Sequence, residues 1–213
     1  MAKVSIPKYT LGEEIVNAIS HGLGAGLAIA GLVLLIIRAN DAIGVVTGVI
    51  YASIMIILYI ISCIYHALSP KVKGKKVLRV IDHCNVLLMV AGTYTPICLS
   101  MLGGRLGWSM FGIVWGVTLV AIIFNCINVD KYRKISLFCN LVLGWSALFI
   151  IKPLINACPI NGLVLLICGG IVYSIGAILY GIGAKKKYIH SVFHFFVIGG
   201  SLLHYFMIYF YVV

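Results

Sequence analysis

The sequence predicts an all-α, polytopic membrane protein, a single domain over residues 1–213 folded as a bundle of seven transmembrane helices. The first reason is composition. Of the 213 residues, 62% are hydrophobic and only 10% are charged, whereas an average soluble domain is about 45–50% apolar and about 25% charged. The second reason is that the apolar residues form long stretches free of Lys, Arg, Asp and Glu, and a membrane-spanning helix needs about 17–25 such residues.

The predicted spans are separated by charged or glycine-containing segments. In chain order they cover residues 15–37, 43–68, 84–103, 107–128, 135–151, 161–181 and 189–211. Asp41 follows the first span, the basic segment 71–79 follows the second, and Gly103 with Gly104 ends the third. The charged segment 130–134 follows the fourth span. Membrane β-strands are excluded because these stretches exceed the roughly 9–11 residues of a barrel strand and do not alternate in polarity.

The last three spans are defined by proline, glycine and lysine. The fifth is the shortest and ends at Lys152 and Pro153. A helix for the sixth span starts near Asn161, because the preceding residues include Pro159, and it stops at the glycines of residues 181–183. Three lysines, at positions 185–187, then separate it from the seventh span.

The positive charge predicts the orientation. With the N-terminus placed inside, thirteen of the sixteen Lys and Arg residues fall on the cytoplasmic side, as the positive-inside rule requires. The N-terminus is therefore predicted in the cytoplasm and the C-terminus outside, in the cell (plasma or inner) membrane. The net charge of +11 is attributed to topology and to anionic lipid headgroups at the basic loops, and not to nucleic acid.

Four predicted spans carry polar or ionisable side chains at the same, cytoplasmic end. They are Glu14, Asn17 and His21 on the first span, Ser62 and His66 on the second, Asp82 and His83 on the third, and His190 and His194 on the seventh. Ionisable groups inside a membrane are costly and usually serve a function. Their coincidence in depth predicts that they form one site.

A metal site is one interpretation of this set. His190 and His194 are four residues apart, so their imidazoles lie on one helix face, and His66 can supply a third ligand. Three histidines with an open position suit a zinc ion that activates water, although iron or manganese is not excluded. Asp82 is then a carboxylate that holds the water or a fourth ligand, and Ser62 stabilises an oxyanion or supports a ligand. A hydrogen-bonded structural network and a proton relay remain alternatives.

The other polar residues have less specific interpretations. Glu14, Asn17 and His21 either support the ligands or cap and anchor the first helix. His83 points about 100° away from its neighbour Asp82 on a helix, so it is predicted to face elsewhere. His204 lies ten residues after His194, or about 15 Å deeper, and is predicted to be a packing or hydrogen-bonded residue.

The combined motifs resemble those of the hemolysin III family, within the progestin and adipoQ receptor (PAQR) superfamily. They are Glu14-x-x-Asn17-x-x-x-His21-x-x-Gly24, Ser62-x-x-x-His66, Asp82-His83 followed by Ala91-Gly92-Thr93-Tyr94-Thr95-Pro96, and His190-x-x-x-His194 with Gly199 and His204. The resemblance extends over nearly the whole chain. It implies seven helices, a cytoplasmic N-terminus and a zinc ion held by His66, His190 and His194, with Asp82 nearby through water.

Three functional hypotheses follow. The resemblance to adiponectin receptors and to the related alkaline ceramidases implies a zinc-dependent, ceramidase-like hydrolase of a lipid amide or ester. The hemolysin name implies cytolytic pore formation, but a pore needs polar residues along the full membrane depth and here they cluster at one end. The third hypothesis is a membrane receptor in which zinc is only structural.

Overall fold

A computed structural model describes residues 4–183 and 186–213, and these residues are helical apart from short connections. The elements are α1 (Leu11–Arg38), α2 (Ala42–Ala67), α3 (Gly74–Pro96), a π-helical turn (Ile97–Leu102), α4 (Gly104–Trp145), a 3₁₀ segment (Ser146–Ile150), α5 (Ile151–Ala157), α6 (Ile160–Gly183) and α7 (Ile189–Tyr211). No strand occurs among the described residues. The prediction of an all-α protein is confirmed.

Six helical segments of the described chain are long and apolar enough to cross a membrane. Their apolar side chains include many that are exposed, such as Leu27, Ile123 and Phe149. In water such a surface would be an aggregation liability, whereas in a bilayer it contacts lipid. The chain is therefore a multi-pass membrane protein.

One of these six segments, Gly104–Ala157, has 54 residues and contains a reversal of the chain. Asn128 has non-helical dihedral angles (φ −163°, ψ 96°) inside α4. The Ser136 hydroxyl donates a hydrogen bond to the Asn125 side-chain oxygen, although eleven residues of straight helix would separate these positions by about 16 Å. Asn128 thus divides α4 into two arms that fold against each other, near the predicted boundary at residues 129–134.

The helix starts follow from identifiable caps and pairs. Thr10 and Glu13 form a capping box at the start of α1, and the Asp41 side chain caps α2. The third helix starts at Gly74, ten residues before the predicted span. The prediction was wrong here because it treated the basic segment as a loop, whereas Lys75 and Arg79 are buried within helix α3.

Two further boundaries have local causes. Gly103 and Gly104 have positive φ angles of 59° and 53°, a backbone conformation that favours glycine, so the third span ends where predicted. The fifth predicted span is α-helical only to Trp145 and then tightens to a 3₁₀ segment. There the Ala147 N–H donates to the Tyr94 hydroxyl at 2.7 Å, so a side chain satisfies a backbone group at the irregularity.

The packing order places the polar ends of three helices together. Helix α1 packs against α2 and α7, and α2 packs against α3. Helices α6 and α7 form a second close pair, with Gly169 of α6 against the ring of His204. The start of α1, the end of α2 and the start of α7 consequently meet at one end of the bundle.

Candidate metal centre

Three buried histidines meet between the end of α2 and the start of α7, two helices that both pack against α1. His66 lies in the last turn of α2 and is 2% exposed, and His190 and His194 lie one turn apart in α7 with 8% and 1% exposure. One nitrogen from each ring lies within 4.8 Å of the nitrogens of the other two. The prediction that these three histidines lie close together is therefore confirmed.

The ring nitrogens of the three histidines face one another. The Nε2 atoms of His190 and His194 are 3.3 Å apart. His66 Nε2 is buried and lacks a hydrogen-bond partner in the described part of the chain. Buried polar atoms normally have such partners, and neutral imidazole nitrogens are good ligands for zinc and similar metals. The donor set therefore fits a metal ion bound by His66, His190 and His194.

Glu14 fixes the orientation and the tautomer of His66. Its Oε2 atom lies 2.6 Å from His66 Nδ1, so this nitrogen carries the proton and donates a hydrogen bond to the carboxylate. The Nε2 lone pair of His66 is then directed toward the other two histidines. Metal-binding histidines are commonly held in this way by a carboxylate on the second ring nitrogen. Of the two interpretations of Glu14, the contact favours support of a ligand.

Lys75 completes this support from α3. Its ammonium group lies 2.6 Å from Glu14 Oε1 and donates to the Leu68 carbonyl oxygen at 2.7 Å. The Lys75 side chain is fully buried, so the ion pair is screened little by solvent. Lys75 was not predicted as part of the site, because its basic segment was expected to be a loop that faces lipid headgroups. Its spacing of four residues from Arg79, on one helix face, was an available signal.

Asn17 and His21 of α1 also contact the cluster. The Asn17 amide nitrogen lies 3.4 Å from His66 Nδ1. The His21 ring stacks on the His194 ring with centroids 3.8 Å apart, and both rings are buried. These contacts place both residues around the cluster. Ser62 is buried one turn before His66 on α2.

Asp82 and His83 lie beside the cluster, in the wall of one cavity. In the described chain, the group of mutually close ligand atoms comprises the three histidines and does not include Asp82. His83 donates from Nδ1 to the Arg79 carbonyl at 2.8 Å, and its Nε2 accepts from the Tyr180 hydroxyl at 2.9 Å. His83 therefore bonds to α6, while its Nδ1 stays 3.8 Å from the Asp82 carboxylate. Both side chains line one cavity, so the prediction that they face apart is not confirmed.

An elongated, mostly apolar cavity of about 210 Å³ runs beside the cluster. Asp82 and His190 form part of its wall near the cluster, and Ile97 and Leu163 line it farther along the bundle. His204 also lines it and donates to the Leu166 carbonyl at 3.1 Å, in agreement with its predicted hydrogen-bonding role. The cavity can hold an apolar chain with one end next to His190.

Tyr9 covers the cluster and was missed by sequence analysis. Its ring stacks on His190 with centroids 4.9 Å apart and an interplanar angle of 16°. Burial raises the pKa of the Tyr9 phenol, which keeps the hydroxyl neutral. Tyr9 belongs to the extended segment before α1, where no helical periodicity indicates which side chains turn inward.

Comparison with known proteins agrees with the motifs. A family model described as "Haemolysin-III related" matches residues 9–205. The chain is 41% identical to "Hemolysin-3" of Bacillus cereus over 204 residues, covering 94% of this chain and 92% of the relative. It is 40% identical to "Hemolysin-3 homolog" of Bacillus subtilis (strain 168), covering 96% and 97%. Human "Monocyte to macrophage differentiation factor" is 26% identical over 212 residues, covering 94% and 85%.

Proposed function

The chain belongs to the haemolysin-III-related family, within the PAQR superfamily, and from this premise we propose that it is a zinc-dependent hydrolase of a lipid amide or ester. One observation carries the proposal. Three buried histidine nitrogens converge within 4.8 Å, and one of these histidines, His190, also lines an apolar cavity. A metal-ligand set beside a channel for an acyl chain is the arrangement that such an enzyme needs.

In this proposal the enzyme crosses the cell membrane seven times, with the N-terminus in the cytoplasm and the C-terminus outside. Support comes from the chain reversal at Asn128, which divides the 54-residue segment Gly104–Ala157. The distribution of the basic residues supports the same orientation. The histidine cluster then lies near the cytoplasmic face of the membrane.

Each residue of the cluster has a part in the proposed chemistry. His66, His190 and His194 would hold the zinc ion, and Glu14 and Lys75 orient His66. When bound, zinc supplies a Lewis acid and lowers the pKa of a water molecule toward neutrality.

Asp82 and His190 line the same cavity, where the Asp82 carboxylate can hold a water molecule and accept its proton. Ser62 is absent from the described residues of the cavity wall. It is therefore assigned to supporting the cluster and not to an oxyanion.

The test is turnover by purified protein. Lipid amides and esters of matched acyl chain are incubated with wild type, His190→Ala and Val192→Ala, and fatty-acid release is measured by mass spectrometry. Val192 is an exposed residue of α7 outside the described cavity wall. The proposal predicts release by wild type and Val192→Ala and none by His190→Ala, with elemental analysis separating zinc from iron or manganese. Wild type that carries one metal ion per chain but releases no fatty acid would instead indicate a receptor with structural metal.

The printed names of the two Bacillus relatives include the word hemolysin, so cytolysis is the second candidate function. In the described structure the polar cluster is confined to one end of the bundle, whereas a pore requires polar side chains along its full length. Dye release from liposomes that contain wild type, but not His190→Ala, would support the pore and contradict the hydrolase.

A further inference from the structure

A second, basic pocket of about 600 Å³ lies at the same end of the bundle as the histidine cluster. It is formed by the segment before α1, by α3, by the reversal of α4, by the last residue of α6 and by Lys186 and Lys187 before α7. Seven basic and two acidic side chains are among its described lining residues. This excess of positive charge in a concave site attracts an anion.

Arg79 lies in the wall of this pocket and is only 3% exposed. One of its terminal nitrogens donates to the Ser5 carbonyl at 2.7 Å, and the other pairs with Asp130 at 2.7 Å. Its Nε atom is buried and has no partner in residues 4–183 and 186–213. A buried guanidinium with an unused donor is a second, independent indication of an anionic ligand, because charged donors are rarely left unpaired.

The basic pocket adjoins the apolar cavity. Four residues line both spaces, namely Pro7, Tyr9, Arg79 and Arg133. The cavity follows α3 and the start of the π-helical turn from Arg79 to Ile97, a distance of about 27 Å along a helix, which is long enough for an extended acyl chain. Asp82 and His190 line the cavity close to the junction with the basic pocket.

We infer that the ligand of this site is an anionic amphiphile, with a phosphate headgroup in the basic pocket and one acyl chain in the apolar cavity. Phosphate fits the basic pocket because it carries one to two negative charges and several acceptor oxygens, which match multiple Lys and Arg donors. The inference rests on the proposed function only for the fate of the ligand. If the function holds, a carbonyl between headgroup and chain lies beside His190.

Binding is tested in detergent-purified full-length protein with lysophospholipids of identical acyl chain. The anionic probe has a phosphoglycerol headgroup and the zwitterionic probe has phosphocholine, and inorganic phosphate serves as the chain-free probe. The pocket variant is Lys134→Gln/Lys186→Gln/Lys187→Gln. The matched control is Lys71→Gln/Lys73→Gln/Lys76→Gln, which removes three exposed charges at the same end of the bundle but outside the described pocket lining.

We expect the anionic probe to bind about tenfold more tightly than the zwitterionic one, and the pocket variant, but not the control, to lose that preference. If both triple variants lost the preference for the anionic probe equally, the preference would come from general surface charge, and the inference would be overturned. Inorganic phosphate binding as tightly as the anionic lipid would show an anion site without a lipid and would also overturn it. The variant His66→Ala separates this inference from the hydrolase proposal, because His66 is a proposed metal ligand that lines neither space in the described chain. It should keep the preference for the anionic probe even if fatty-acid release is lost or was never present.

Discussion

The carboxylate of Glu14 lies 2.6 Å from Nδ1 of His66, across the contact between α1 and α2. This pair links the start of the first helix to the end of the second and fixes which His66 nitrogen carries a proton. Since the carboxylate also binds Lys75, three helices hold one imidazole in place. The rigidity of the candidate metal centre therefore depends on residues that are not themselves ligands.

Glu14→Gln is expected to weaken metal binding by about 10–100-fold, the usual effect of losing a carboxylate that supports a ligand. The amide is neutral, so it polarises His66 less and leaves Lys75 without its counter-charge. Metal affinity is measured by competition with a chromophoric chelator.

Glu13→Gln is the matched control for this prediction, because Glu13 caps α1 through Thr10 and is outside the histidine cluster. It should lower stability slightly and leave metal affinity unchanged. Equal affinities for Glu14→Gln and wild type would show that Glu14 has no role in metal binding.

The double variant His190→Ala/His194→Ala is expected to lose bound metal completely, since it removes two of the three ligands. Elemental analysis of purified protein gives the metal content per chain, with about one ion expected for wild type. His204→Ala, in the same helix but hydrogen-bonded to Leu166, should keep its metal. Wild type that is well folded and free of metal would leave the cluster as a polar structural network.

The sequence predicted helices well wherever charge marks a boundary, and poorly where charged residues are buried. Lys75 and Arg79 extend α3 beyond its predicted start because each meets a carboxylate distant in the chain, Glu14 and Asp130. Such pairs make buried charges tolerable, but local sequence carries no information about a partner 61 or 51 residues away.

The candidate site was predictable to the extent that helix geometry controls it. Spacing placed His190 and His194 on one face of α7, and depth placed His66 of α2 at the same level. Residues at one level lie close together when the helix faces that carry them point into the bundle. Tyr9 lies in an extended segment whose path depends on tertiary contacts, among them the bonds between Ser5 and Asp130. The cavity is also a property of packing, and no single span indicates it.

Lys75→Met is expected to destabilise the protein by about 3–5 kcal/mol, the usual cost of removing one partner from a buried ion pair. The methionine fills similar volume, so the loss reports on the missing ammonium partner of the Glu14 carboxylate and the Leu68 carbonyl. Thermal unfolding in detergent measures the change. Lys76→Met, at an exposed neighbouring position, should alter stability by less than about 0.5 kcal/mol. Similar unfolding midpoints for Lys75→Met and Lys76→Met would contradict a stabilising ion pair between Lys75 and Glu14.

Gly169→Ala is expected to destabilise the α6–α7 contact by about 1–3 kcal/mol, the usual cost of overpacking. An added Cβ at this position would collide with the His204 ring. Gly181→Ala is the control in the same helix, because its Cβ would meet open space and alanine favours helix over glycine. The unfolding midpoint should therefore fall for the first variant and stay or rise for the second. A midpoint for Gly169→Ala at or above that of wild type would contradict the close approach of α6 to α7.

Reporter fusions are expected to place the C-terminus outside the cell and the segment before α3 in the cytoplasm. A reporter that is active only outside the cytoplasm should be silent after Lys73 and active after Arg105 and after Val213. The C-terminal fusion is the decisive one, because a cytoplasmic N-terminus with an odd number of crossings puts Val213 outside, whereas an even number puts it inside. If the segment Gly104–Ala157 crossed the membrane once, the chain would have six crossings and the Val213 fusion would be silent. Activity there would therefore establish that the two arms of α4, divided at Asn128, each cross the bilayer.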